Sequence, residues 1–466
     1  MKNTFASAVN APVAVPTTNG MKAYNTTGAA IVDLFFNIGA ARNNPAGIKT
    51  QFAKAYAEDK TLAARTLFWA RDVRGGAGER QTFRTLMLQL EKTDPRALIS
   101  LLPNVPEYGR WDDLLIFETK EVKEAAYNIC ALGIRSGDGL CAKWMPRKGL
   151  QAAELRRVLN MTPKQYRKTL VNLSNTVEQK MCAQDWTAIE FGKLPSVASK
   201  QYMKAFLKHT PEQYAAYKAA LVKGDAKINA SAIFPHDVIV GMRRGDVVVG
   251  KAQWEALPNY LGDGDHFILP MVDVSGSMSC PAGGSNVTCM DVAVALGLYL
   301  ADKQKGAFAG MFLTFSGAPE LLQLKGDLPQ KMEQMLRSNW GMNTNLEAAF
   351  AKVLKTAVAG NVPANEMPKY VLIMSDMQFD RCVTFSAIEM IRKQYAAAGY
   401  EMPQVVFWNL NAQYGNQPVT VNEKGVALVS GFSPAIMTSV LAAKQLSPMN
   451  IVLSTINSER YASINV

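Results

Sequence analysis

An all-α body followed by a doubly wound α/β domain is the fold class this 466-residue sequence predicts. Three observations predict it. Up to about residue 262, apolar residues recur every three or four positions, which is the helical period. From about residue 263, short apolar runs alternate with amphipathic stretches, the pattern of a mostly parallel sheet with helices on both faces. One of those runs, Phe267-Ile-Leu-Pro-Met-Val272, leads directly into Asp273-Val-Ser-Gly-Ser277, and ligand sites in open α/β sheets form at that edge. The chain is therefore divided into a flexible segment 1–24, a basic helical-repeat domain 25–262 and an α/β domain 263–466.

In the first half, helices are expected over Gly47–Arg71, Arg80–Glu91, Lys120–Ile134, Gln151–Leu159, Pro163–Glu178 and Pro211–Val222. Gly, Pro, Asp or Thr-Pro signals bound each one. Thr162-Pro163 and Thr210-Pro211 join a capping hydroxyl to a proline suited to the first turn. Helix pairs with short connections point to a HEAT-like repeat body that exposes an extended concave or ring-like surface. The glycine-rich loop Arg74–Arg80 follows a helix and lacks the Gly-Lys-Ser/Thr ending of a phosphate-binding loop. It reads as an interhelical turn, with Arg74 and Arg80 available to a phosphate or to Asp112 and Asp113.

In the second half, strands are expected at 267–274, 308–315, 320–324, 370–375, 404–410 and 425–429, and helices at 288–304, 328–338, 345–358, 384–398 and 433–444. Segment 320–324 follows its neighbour too closely for a helical crossover, so it should pair antiparallel.

Residues two apart on an extended segment point the same way, so Asp273, Ser275 and Ser277 can converge on one cation. The run Tyr370-Val-Leu-Ile-Met-Ser-Asp376 also ends in an acid, and the loop Trp340-Gly-Met-Asn-Thr344 offers a hydroxyl ahead of a helix. Carboxylate and hydroxyl oxygens that leave places open suit Mg2+, with Mn2+ and Ca2+ as alternatives. Such a site can take another molecule's acidic group as its missing ligand, which makes it a grip rather than a catalyst. The constellation resembles the metal-ion-dependent adhesion site of von Willebrand factor A domains. That resemblance implies Asp273, Ser275, Ser277, Thr344 and Asp376 as the metal ligands. The other reading is that the serines only cap the following helix. Of the three histidines, His209, His236 and His266, one falls in the second half, at the start of a strand rather than at its metal edge. A Ser-His-Asp arrangement is thereby disfavoured, and the protein is not expected to be an enzyme.

Charge is split between the halves. Residues 1–250 carry 35 Lys and Arg against 22 Asp and Glu, whereas residues 251–466 carry 15 against 17. A basic first half points to a polyanion partner. Lys143, Arg147 and Lys148 surround Trp144 and Pro146. Arg156, Arg157, Lys164, Arg167 and Lys168 span a helix-turn-helix junction, and Lys200, Lys204 and Lys208 fall at four-residue spacing. Against the reading as phosphate contacts stands the commoner one, a solvated helix face or cations at a helix end. Trp111, Trp144, Tyr166 and Tyr202 could stack on bases, or belong to the core. No run is long enough to span a bilayer, the start is a poor signal sequence, and six cysteines without dense spacing read as reduced thiols. A cytoplasmic location is expected.

Several longer motifs carry a resemblance across nearly the whole chain. They are Arg71-Asp-Val-Arg-Gly-Gly-Ala-Gly-Glu-Arg80, Glu107-Tyr-Gly-Arg-Trp-Asp-Asp-Leu-Leu115, Lys193-Leu-Pro-Ser-Val-Ala198, Phe407-Trp-Asn-Leu410 and Val429-Ser-Gly-Phe-Ser-Pro434. Together they resemble the Ro-related proteins, whose TROVE module is a ring of helical repeats, and most of all a bacterial, viral and eukaryotic branch of them. The resemblance implies RNA binding without catalysis: structured small RNAs on a basic outer surface, single-stranded ends of misfolded RNA in a central hole, and an A domain completing the ring. The helical body departs from the Ro ring, which leaves ring closure and oligomeric state open. The alternative is a protein-interaction scaffold whose metal site grips an acidic residue of a partner.

Overall fold

The computed structural model describes residues 11–243, 245, 247–282, 287–315, 318–338, 344–380, 387–413, 415–443 and 445–466. The expected loop positions 340–343 and helix positions 384–386 lie outside the described residues.

The first half is helical. Its helices are α1 (Ala30–Ile38), α2 (Pro45–Glu58), α3 (Lys60–Arg71), α4 (Arg80–Thr93), α5 (Pro95–Leu101), α6 (Val105–Tyr108), α7 (Lys120–Arg135) and α8 (Gly139–Trp144). They continue as α9 (Gly149–Leu159), α10 (Pro163–Ser174), α11 (Val177–Cys182), α12 (Ser196–His209), α13 (Pro211–Lys223), α14 (Pro235–Arg243) and α15 (Val247–Glu255). Two expected helices are each divided in two. Over 47–71 the break comes at Asp59, whose backbone is extended (φ −154°, ψ 111°) and whose side chain accepts the Leu62 amide as the cap of α3. Over 163–178 it comes at Asn175, left-handed at φ 33°, followed by a Thr176–Gln179 capping box that opens α11. A cap satisfies amides that a helix start leaves unpaired, so each change of helix axis has its own local cause.

Residues 14–24, expected to be flexible, pair instead as the antiparallel strands β1 (Ala14–Pro16) and β2 (Lys22–Tyr24). The turn between them docks on the second half: Thr18 N donates to Gln378 Oε1 at 2.9 Å, and Thr17 Oγ1 to the Phe379 carbonyl at 2.7 Å.

The second half is built on the strands β3 (Ile268–Asp273), β4 (Met311–Phe315), β5 (Leu321–Gln323), β6 (Tyr370–Ser375), β7 (Gln404–Asn409) and β8 (Val426–Ser430). Between and after them run α16 (Cys289–Lys303), α17 (Leu328–Arg337), α18 (Leu346–Ala359), α19 (Ala387–Ala397), α20 (Met437–Ala442) and α21 (Pro448–Ile456). The sheet order is β5-β4-β3-β6-β7-β8, parallel throughout except for β5, which is antiparallel to β4 as its short connection requires. Every residue of β3 and β8 is buried, as expected of parallel strands covered on both faces. Strand β4 begins later than expected because Gly310, at φ 77°, turns the chain just before it. The expected helix 433–444 is shorter, with α20 after a 3-10 turn.

The halves share one core. A single cluster of buried apolar side chains runs from Met21 to Ile464. Helix α1, from the first half, lies on β8: Ser430 Oγ donates to the Phe35 carbonyl at 2.8 Å and accepts the Gly39 amide at 3.0 Å. A Cβ at Gly39 would lie 2.7 Å from the Ser430 backbone, so the approach needs glycine there. A second, smaller cluster (Val177, Ile189, Phe191, Leu194, Ala198, Phe206, Tyr214 and Val249) forms its own lobe.

Candidate metal site and nucleic-acid interface

The sheet order reverses between β3 and β6. From β3 the chain moves outward to β4 and β5, then returns to β6 on the other side. Ligands of open α/β sheets bind at the carboxyl edge of such a switch point. Asp273 is the last residue of β3, and Asp376 directly follows β6. The register pairs Val272 with Met374, so the next position brings Asp273 beside Ser375. Ser375 Oγ donates to Asp273 Oδ2 at 2.5 Å, and the Ser275 amide donates to Asp273 Oδ1 at 2.9 Å. The Ser275 and Ser277 hydroxyls are 3.1 Å apart.

Both acids are buried. Burial, and then the neighbouring Asp376 charge, push the Asp273 carboxyl up to about 6, with Ser375 and Ser275 pulling it back in part. Burial likewise raises Asp376, against Ser277 and the Gln378 amide. Among the described residues Asp376 Oδ2 has no hydrogen-bond partner, although buried polar atoms are nearly always satisfied. Two crowded carboxylates, one with an unused oxygen, beside two hydroxyls fit a small hard cation. Met377, at φ 65°, turns the chain immediately after Asp376.

Thr344 is placed differently. Its hydroxyl donates to the Gln378 carbonyl at 2.9 Å and lies 3.3 Å from Asp380 Oδ1, and its amide donates to Asp380 Oδ2 at 2.9 Å. Asn19, in the β1–β2 turn, reaches both Thr344 Oγ1 at 3.4 Å and the Gln378 carbonyl at 2.8 Å. Thus Asp273, Ser275, Ser277 and Asp376 come together, while Thr344 is held by the segment after Asp376. Ser375, Gln378 and Asp380 escaped the sequence reading. Ser375 carried a signal only in its position beside Asp376; seeing its contact with Asp273 needs the strand register. His266 bonds the Leu261 carbonyl at 2.6 Å, ahead of β3. Among the described residues no group of three or more His, Cys, Asp or Glu could hold a metal. A cation site there has to use hydroxyls.

The basic residues sort into two kinds. Lys143 lies 3.8 Å from Glu178 and Lys200 3.3 Å from Asp237, so both are engaged. Arg147, Lys148, Arg157, Lys164, Arg167, Lys168, Lys204 and Lys208 are exposed, and no ion pair is recorded for any of them among the described residues. Lys164, Arg167 and Lys168 share one face of α10, being three and four residues apart. Arg147 reaches Ser174 at the end of the same helix (3.4 Å), and Arg156, half-buried, donates to the Ala152 carbonyl. From residue 143 to 208 there are 13 Lys and Arg against four Asp and Glu.

Most of the expected aromatic contacts are structural. Tyr166 is buried, its hydroxyl on the Pro146 carbonyl. Trp111 packs over Gly133, where a Cβ would lie 2.6 Å from the indole. Tyr202 donates to Glu178. Trp144 carries the Arg110 guanidinium 3.8 Å above its ring. The reading missed Trp186 and His209, whose rings stack at 4.2 Å with an interplanar angle of 6°, His209 exposed. The glycine-rich loop resolves to an internal network: Arg71, Arg84 and Arg110 close on Asp112 and Asp113, with Arg80 3.5 Å from Asp112 at the rim.

No helix among the described residues is long and apolar enough to cross a membrane. The model of a domain of unknown function, DUF2828, matches residues 17–124 and 134–261, and that of another, DUF7788, matches 268–461. An uncharacterised protein of Acanthamoeba polyphaga mimivirus is 31% identical over 501 residues, covering 94% of this chain and 86% of the relative. The RO (RSR) protein of Deinococcus radiodurans aligns over 92% of this chain and 93% of its own, at 15% identity and a TM-score of 0.37. That superposition is too loose to carry a residue correspondence. Matched by one family model over half its length and by a relative along nearly all of it, the chain belongs to the DUF2828 family.

Proposed function

We propose that this chain is a non-catalytic, cytoplasmic RNA-binding protein of the Ro type. Its first half would be a TROVE-like body for small structured RNA or the single-stranded ends of misfolded RNA. Its second half would be a von Willebrand A-like domain with a divalent-cation site. The observation that carries the RNA reading is the exposed face of α10, where Lys164, Arg167 and Lys168 project without recorded ion pairs, together with the equally exposed Arg147, Lys148 and Arg157. Cations not committed to internal carboxylates are the ones that displace counterions from a phosphate backbone. The stacked Trp186 and His209, next to Lys208, supply a platform for an unpaired base.

Asp273, Ser275, Ser277 and Asp376 would hold the cation, with Thr344 behind them. The ion would neutralise two crowded carboxylates and leave a place for an acidic group. Asp376 Oδ2 also favours a second reading, in which this grip on an acidic protein partner is the main activity and the helical half is a scaffold.

The test is to purify the protein without nuclease and sequence any nucleic acid that remains. Bound small RNA is expected, and the triple variant Lys164→Glu, Arg167→Glu, Lys168→Glu should lose it. In vitro, that variant should bind RNA at least tenfold more weakly, with a salt slope shallower by about two to three, roughly 0.7–0.9 per phosphate contact. A nucleic-acid-free protein that fails to shift RNA at low salt would sink the RNA reading. Partner capture abolished by chelator would then support the second.

A further inference from the structure

We propose that Cys280 and Cys289 form a reversible intramolecular disulfide, a redox modification site at the rim of the Asp273 cluster. Their sulfurs are 3.5 Å apart. The chain leaves the Asp273–Ser277 turn at Cys280 and re-enters helix α16 at Cys289, so the two residues stand at the base of one loop. That base is a short antiparallel ladder: the Cys289 amide donates to the Cys280 carbonyl at 3.0 Å, Pro281 and Thr288 bridge, and the Ala282 amide donates to the Val287 carbonyl at 2.7 Å. The backbone therefore holds the sulfurs opposite one another, and bonding requires closing 3.5 Å to about 2.05 Å.

Access and polarity differ between the two thiols. Cys280 is half-buried and accepts a hydrogen bond from Asn411 Nδ2 at 3.3 Å. Cys289 is buried against the Leu410 carbonyl. The other described cysteines lack this combination. Cys130 and Cys141 are both buried, and Cys182 is exposed with no sulfur recorded near it.

The chemistry balances with a low-molecular-weight disulfide such as oxidised glutathione. The Cys280 thiolate attacks one of its sulfurs, releasing one glutathione thiolate and leaving a mixed disulfide. Cys289 Sγ loses its proton, attacks Cys280 Sγ and releases the second thiolate. Two protons and two electrons leave the protein, and two molecules of reduced glutathione form. The bond would tie the turn bearing Ser275 and Ser277 to the first residue of α16. Its formation rests on the sulfur geometry and stands independently of any bound cation.

The test treats the full chain with oxidised glutathione, alkylates the remaining thiols and maps the peptides by mass spectrometry. Two of the six thiols should become unreactive, in a peptide pair joining Cys280 to Cys289 that dithiothreitol releases. Cys280→Ser should keep all five of its thiols alkylatable. Six reactive thiols after oxidation, a glutathione adduct that persists on Cys280, or a bridge through another cysteine would each overturn the proposal. The wild-type map decides the matter whether or not any serine variant folds.

Discussion

Asp273 and Asp376 stand at the ends of two neighbouring strands, and burial, followed by the Asp376 charge, raises the Asp273 carboxyl. Millimolar Mg2+ or Mn2+ is expected to raise the melting temperature, by the equivalent of about 2.7 kcal/mol at a hundredfold excess over Kd. Asp273→Asn should abolish that rise while leaving the cation-free protein at least as stable. A parent protein whose melting ignores both ions and EDTA would remove the site. His236 makes a separate pH prediction. Burial holds its pKa down at about 4, with Asp237 4.0 Å away opposing and Arg42 and Lys200 assisting. The unfolded chain takes its proton near pH 6.5, so the contribution is complete above that and is lost as pH falls towards 4. It amounts to about 3 kcal/mol. Urea titrations at pH 7 and 4.5 should show the loss, and His236→Gln should flatten it. Asp273, Ser275, Ser277 and Asp376 were legible because strand period and strand ends are local properties of sequence. Ser375, Asp380 and Asn19 were not, because their roles arise from register and from docking across more than 300 residues.

Helix breaks show what periodicity conceals. Apolar spacing continues across Asp59, so 47–71 reads as one helix, yet the Asp59 side chain captures the Leu62 amide and starts a new one. Asp59→Ala should cost about 1 kcal/mol, seen as a lower urea midpoint with an unchanged m-value; no change would mean the break is imposed by packing alone. The lysine stripe on α12 illustrates the converse limit. Lys200, Lys204 and Lys208 are equivalent by spacing, but Asp237 on α14 claims only the first. Charge–charge partners on different helices leave no trace in either helix's pattern. The face of α10 was legible because its cations face solvent, where nothing distant intervenes.

At the scale of the whole molecule, the helical and α/β halves cannot be separated cleanly. Asp113, fully buried, accepts Arg71 and Arg84, and Asp72 is clamped by Arg460 and Tyr461 from the far end of the chain. Asp113→Ala strands the buried Arg71 charge and should cost about 3–5 kcal/mol, read from chemical denaturation. Because α1 and the β1–β2 hairpin complete the second half, a fragment ending at residue 262 should show no cooperative thermal transition. A sharp transition in that fragment would show the halves to be independent. The same interlock bears on synthesis. Helix α1 leaves the ribosome early, but Ser430, which holds its last turn, follows about 390 residues later. Phe35 meets Trp69 of α3 within a few dozen residues, but at roughly 5–20 residues per second the side of α1 that lies on β8 waits for the order of a minute for its cover. Until β8 is made, that side of the nascent helix stays uncovered, and slowing elongation should lower the soluble yield more than it does for a protein whose first helix is covered by its immediate neighbours alone.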